Sequence, residues 1–179
     1  TDPTACNYDP LATSSDTCYY IGDSLCPDGP DLWLLEDVLR NTMYVDDLFN
    51  TDPCTINEGC LRGYGDREII RFTTHIKNIG NSDYYIGTPA SSPGQFEWDN
   101  CHSHSHYVGY AEYILYDINN YSTPVGFKNG FCVMDLECDS GGTGTYGCSN
   151  MGISYDCGDY YNSSLNCQWI DITEIDTGR

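Results

Sequence analysis

Positive charge is scarce in this sequence: Lys77 and Lys128 are its only lysines, and 7 Lys and Arg stand against 27 Asp and Glu, a formal net charge of −20. Such an excess repels other polyanions, which excludes nucleic acid and an anionic membrane surface as partners. No stretch approaches the roughly 20 apolar residues that a membrane-spanning helix needs, so no membrane span is expected. An initiating Met and a signal peptide are both missing, and the chain reads as a processed or partial product. What is present excludes disorder: 40% of the residues are hydrophobic, and 16 are tyrosines. Eleven cysteines point to an oxidising, extracellular compartment and a secreted protein.

Residues 1–26 differ from the rest, being rich in Asp, Thr, Ser and Pro. The stretch TDPTACNYDPLATSSDTC resembles a short Asp- and Cys-containing repeat of secreted bacterial proteins. A Cys6–Cys18 disulfide would staple a segment with too little apolar surface to fold otherwise. Its aspartates suit Ca²⁺ chemically, and equally suit a solvated acidic tail. Pro27 to Pro30 reads as a linker, so the second unit is expected over residues 27–179.

That unit carries the punctuation of an all-β domain. Glu68 to Lys77 alternates, with Ile70, Phe72, Thr74 and Ile76 on one face. His104 to Ile118 and Trp169 to Ile175 are two further strand-like runs, whereas Leu32 to Phe49 also suits a helix. The Gly-, Ser- and Tyr-rich region from Asp139 to Asp159 reads as one long loop. The expected architecture is a β-sandwich with long, disulfide-pinned loops.

Three of the four histidines, His102, His104 and His106, fall within five residues. A spacing of two puts them on one face of a strand. In a straight strand the outer pair lies about 13 Å apart at Cα, so one ion can be held by all three only if the rings lean inward or the strand bends. Imidazole nitrogens favour copper or zinc over calcium or magnesium, and the cluster alone does not separate the first two. Without a metal, the same residues would be a polar strand edge.

From here the chain resembles the lysyl oxidase catalytic domain. The resemblance rests on Trp98-Asp99-Asn100-Cys101-His102-Ser103-His104-Ser105-His106-Tyr107, on Gly126 to Asp135 (GFKNGFCVMD), and on Cys167 to Thr173 (CQWIDIT). Arg71-Phe72 and Ile76 to Asp83 add a moderate match upstream. The resemblance implies copper at His102, His104 and His106, and a lysine tyrosylquinone cofactor formed from Lys128 and Tyr161. Tyr160 is adjacent, and composition does not exclude it. The residue types suit that chemistry: a phenol can be oxidised to an electrophilic quinone, and an amine adds to it. A quinone of this kind condenses with a primary amine and acts as an organic electron sink; aldehyde, ammonia and peroxide result. The resemblance also implies disulfides Cys54–Cys60, Cys101–Cys148, Cys132–Cys138 and Cys157–Cys167.

There are departures from the family pattern. Asp99 stands where the family often has a histidine, and Val108-Gly109-Tyr110-Ala111 replaces an acidic pair, which leaves the proton-abstracting base unassigned. The chain ends at Arg179 where the family continues, and a sheet edge left there would invite strand addition. The first functional reading is therefore a copper-dependent amine oxidase acting on peptidyl-lysine or other primary amines, whose cations the negative surface would attract. An alternative is a structural subunit of an extracellular glycosylated filament or matrix. The sequons at Asn120 and Asn162 and the odd cysteine count suit that reading. A zinc-bound adhesion module is a third.

Overall fold

In the computed structural model the described residues are 2, 5–8, 12–14, 16–20, 23, 25–26, 29–49, 51–128, 130–139 and 144–175. They form the expected all-β sandwich, with two short helices. The elements are β1 (Leu32–Leu34), α1 (Glu36–Thr42), β2 (Tyr44–Leu48), α2 (Pro53–Asn57), β3 (Arg67–Arg71), β4 (Thr74–Asn78), β5 (Tyr84–Gly87), β6 (Phe96–Asp99) and β7 (His104–Val108). After these come β8 (Leu115–Tyr116), β9 (Ser122–Thr123), β10 (Gly126–Phe127), β11 (Gly130–Phe131), β12 (Glu137–Cys138), β13 (Met151–Ile153), β14 (Cys157–Tyr161) and β15 (Trp169–Asp171). Two four-stranded antiparallel sheets, β1-β4-β14-β12 and β10-β15-β3-β2, carry the architecture. A three-stranded sheet, β11-β7-β6, presents the histidines.

The alternation from Glu68 to Lys77 does not make one strand. β3 and β4 belong to different sheets, and the chain crosses between them at the buried Phe72 and Thr73. Thr73 donates its amide to Thr42 Oγ1 (2.9 Å), so the crossover's main chain is satisfied by a side chain rather than by a ladder. The run from His104 is likewise shorter than its composition suggests. β7 ends at Val108, and Tyr110, Ala111 and Tyr113 leave it to pack on the core. The expected third strand ends at Asp171, whose carboxylate accepts from Thr173 N and Oγ1 in a turn. The ambiguous region 32–49 resolves as strand, helix, strand.

The region from Asp139 to Asp159 is not wholly loop. β13 lies within it, fully buried and paired with β5, and β14 begins in it. Glycine hid this strand from a composition reading. A Cβ on Gly152 would sit 2.6 Å from the Tyr84 carbonyl, so only glycine permits the close pairing. Two buried clusters result. One gathers Ile86, Phe131, Val133, Met151, Ile153 and Cys157; the other gathers Cys60, Leu61, Ile69, Cys167 and Trp169.

The disulfides differ from every expected pair. They are Cys6–Cys26, Cys54–Cys101, Cys60–Cys167, Cys132–Cys148 and Cys138–Cys157, with Cys18 free. Cys138 and Cys157 are register partners across β12 and β14, which dictates their bond. Cys54 lies in the first turn of α2 and Cys60 follows its end, so the helix sends the two thiols to different neighbours. In the N-terminal segment, Tyr8 packs against Trp33 with tilted rings (5.2 Å between centroids), and Asn7 bridges Thr17 O and Tyr19 N. The chain end beyond Ile175 lies outside the described residues. Among the described residues no helix is long and apolar enough to cross a membrane.

Candidate metal and cofactor site

The histidines reach one another through a bend. Only His104 and His106 lie on β7, while His102 sits in the turn after β6, where Ser103 takes a positive φ of 56°. The expectation that all three lie on one strand is corrected for His102, and the bend that a shared ion requires is present. Their centroids lie 5.6 Å (His102 to His104), 5.5 Å (His102 to His106) and 4.8 Å (His104 to His106) apart, and the outer pair is far closer than the roughly 13 Å of a straight strand. His104 Nε2 and His106 Nε2 converge to 3.0 Å.

Asp99 organises the cluster. Its Oδ2 lies 2.8 Å from His102 Nδ1 and 3.3 Å from His106 Nδ1, and its Oδ1 accepts from Cys101 N at 2.7 Å. A carboxylate only accepts, so the ring nitrogen facing it carries the proton and Nε2 keeps its lone pair. Burial pushes the Asp99 carboxyl up, but the bonds from Cys101 and His102 outweigh it and hold the group below its ordinary range. Burial, aided by the Lys128 charge, lowers His106 to about 4. Neutral imidazoles, aimed by a carboxylate behind them, are the donor set that a copper or zinc ion requires, so the residues fit such an ion. Asp99, His102 and His106 also offer a carboxylate oxygen and ring nitrogens within 4.8 Å of one another.

Glycine shapes this wall as well. β11 pairs with β7, and a Cβ on Gly130 would run into the His106 ring, 2.7 Å from its Cβ. Lys128 stands two residues earlier, only 8% exposed, with Nζ 3.9 Å from Glu58 Oε2. Burial lowers the Lys128 amine, and the carboxylates of Glu58 and Asp99 pull it back up. Glu58 closes the end of α2, 3.5 Å from His102 Nδ1, and burial raises its carboxyl. The Cys54–Cys101 bond ties that helix to the histidine turn, so both walls are stapled together. Between them opens a cleft of about 630 Å³ lined by Glu58, Glu97, Trp98, Asp99, His106 and Gly130 among others. Trp98 is 63% exposed there.

Tyr161 lies elsewhere in the core. Its hydroxyl donates to Cys132 O (2.9 Å) and accepts from Cys132 N (3.1 Å), and its ring meets Phe131 edge-on. No hydrogen bond, ion pair or electrostatic interaction links it to Lys128. Tyr160 points to the opposite side of β14, against His75. The structure thus gathers His102, His104, His106 and Lys128 and leaves Tyr161 behind Phe131 and Cys132. Sequence reasoning missed Asp99 and Glu58 as members of the cluster. The proximity of Asp99 to the histidines was visible, but only the turn reveals its role. The sequon residues Asn120 and Asn162 are both exposed, the latter directly after Tyr161.

An all-β, disulfide-bonded domain with an imidazole and carboxylate cluster at an acidic cleft is the class defined so far. The lysyl oxidase family model matches residues 30–179. The chain is 33% identical over 162 residues to lysyl oxidase homolog 3B of Danio rerio, covering 83% of this chain and 20% of that protein. It is 30% identical over 174 residues to human lysyl oxidase homolog 4 (90% and 23%), and 30% over 188 residues to mouse lysyl oxidase homolog 2 (90% and 24%). The chain belongs to the lysyl oxidase family. It spans about a fifth to a quarter of the length of these relatives.

Proposed function

We propose that this domain is a copper-dependent amine oxidase, extracellular, that converts peptidyl-lysine or other primary amines to aldehydes. The observation that carries the reading is the set of three imidazoles converging beside a buried lysine, with Asp99 behind two of the rings. His102, His104 and His106 would hold copper, and Lys128 and Tyr161 would supply the lysine tyrosylquinone. When bound, these groups provide the electron sink for amine oxidation and pass electrons to O₂.

This chain's own residues do the rest. Asp99 fixes the tautomer of His102 through its hydrogen bond, keeps the outer nitrogen of that ring available, and lies 3.3 Å from His106 Nδ1. Glu58 holds the Lys128 amine near the imidazoles, and burial lowers that amine toward the neutral, nucleophilic form. Cys132's main chain holds the Tyr161 hydroxyl. Glu97 and Glu58, with the exposed face of Trp98, give the cleft a negative, aromatic lining that attracts and seats an ammonium ion. Cationic substrate fits the net charge of −20.

The test is peptide mass spectrometry of protein loaded with copper(II) in air, combined with peroxide release from a lysine peptide. The expected outcome is a linked Lys128–Tyr161 peptide and peroxide. Unmodified Lys128 and Tyr161 peptides in fully loaded protein, with no peroxide, would sink the reading.

A further inference from the structure

β14 carries a second chemically charged residue beside Tyr161. Asp159 lies two positions earlier, so its side chain leaves the strand on the same face as Tyr161, while Tyr160 leaves on the other. It is 0% exposed, and neither carboxylate oxygen completes a hydrogen bond. A native core does not keep such a group without a cause, because each unmet bond is costly. The surroundings are phenols: Tyr110, whose buried hydroxyl is also unpartnered, Tyr113 and Tyr161 each respond electrostatically to Asp159. Asp135 faces it from the segment before β12, and the amides of Met134 and Tyr160 approach without closing a bond of good geometry. Among the described residues no lysine or arginine neutralises it.

We propose that Asp159 is the acid–base partner of Tyr161, the carboxylate that takes up the phenolic proton when this tyrosine is activated. The proposal rests on the reading of Tyr161 as the cofactor tyrosine. In the transfer the O–H bond of Tyr161 breaks, its electron pair stays on the phenolic oxygen, and the proton forms a new O–H bond at Asp159. In the resting protein the phenol shares its proton with the Cys132 carbonyl, which cannot keep it. Among the described residues, Asp159 is the carboxylate whose charge acts on that phenol. Desolvation suits it to the task, for burial pushes its carboxyl up to about 8, close to the neutral range in which a base is most effective.

The experiment has a metal-free arm and a copper arm, both on the full chain. Tyrosine labelled with ¹³C at Cζ is followed by NMR across pH 5 to 10, Tyr161 being assigned with Tyr161→Phe. The expected result is a step in the Tyr161 resonance centred near 8, absent in Asp159→Asn. In the second arm, protein is loaded with copper(II) in air and the Lys128–Tyr161 linkage is timed by mass. Linkage in wild type should speed up through the same pH midpoint, and Asp159→Asn should form it about a hundredfold more slowly at equal copper content. A Tyr161 resonance indifferent to pH in that window overturns the proposal, as does a variant that links at the wild-type rate. Should the variant fail to fold, coincidence or mismatch of the two wild-type midpoints decides. If the NMR step is present but wild type never links, the oxidase reading fails and the Asp159–Tyr161 proton coupling stands.

Discussion

At the scale of single residues, Asp99 is the group that would make the proposed metal centre more than a polar hairpin. It accepts from the His102 ring and the Cys101 amide at once, and its Oδ2 lies 3.3 Å from His106 Nδ1. Replacing a carboxylate behind metal-ligating histidines generally lowers metal affinity by about 10- to 100-fold. Asp99→Ala is therefore expected to bind copper that much more weakly in a calorimetric titration, with its far-UV circular dichroism unchanged. Unaltered affinity would mean that the rings are aimed by packing against β11 rather than by this carboxylate. Glycine acts here through absence, since Gly130 leaves the room that the His106 ring occupies.

At the scale of elements, the covalent frame decides which strands face the site. Cys60–Cys167 joins residues 107 apart and brings the CQWIDIT block against the end of α2. Trp169 Nε1 donates to Cys60 O (3.1 Å), and the Arg71 guanidinium lies 4.7 Å over the same indole. Asp171 continues that block, fully buried and held by Arg67 at 2.7 Å and by Arg62 N at 2.8 Å. In the loop-entropy picture a closed loop of this length contributes about 5 kcal/mol. Cys60→Ser combined with Cys167→Ser should lose roughly that much in urea unfolding, while Cys18→Ser should lose little. A loss below about 1 kcal/mol would show that strand packing, not chain closure, holds β15 in place.

For the whole molecule, buried carboxylates of opposite behaviour shape stability against pH. Hydrogen bonds hold Asp135 and Asp171 below the ordinary carboxylate range despite burial, so their contribution is present above that range and is lost as pH falls through it. Asp159 runs the other way. Its folded value is raised to about 8, so its contribution is complete at low pH and is lost as pH rises from the ordinary carboxylate value through 8. Full ionisation costs on the order of 5 kcal/mol, a large share of a domain's stability. Urea unfolding from pH 4 to 9 is expected to show greatest stability in the weakly acidic range and a decline toward pH 9. Asp159→Asn should flatten that alkaline limb; an unchanged decline would place its origin elsewhere.

Fold class and family were legible in the residues alone, and so were the candidates for the proposed chemistry. These are local facts: strand alternation, the alternate histidines, and the short runs around Lys128 and Cys167 need no distant neighbour to be read. The sequence also determined the excess negative charge, which suits a cationic substrate. Tertiary structure alone decided what those residues meet. The alternation from Glu68 to Lys77 continues through a crossover because Phe72 and Thr73 are buried between sheets, a burial that periodicity does not encode. β13 escaped notice because its glycine serves a close backbone approach rather than a loop. The cysteine pairing depended on register and on where α2 aims its ends, so no spacing rule could supply it. Asp99, Glu58 and Asp159 are ordinary acids in a chain full of them. Only the fold buries one beside a phenol, sets another beside a lysine and places the third behind two imidazoles, because burial and proximity are properties of the packed chain.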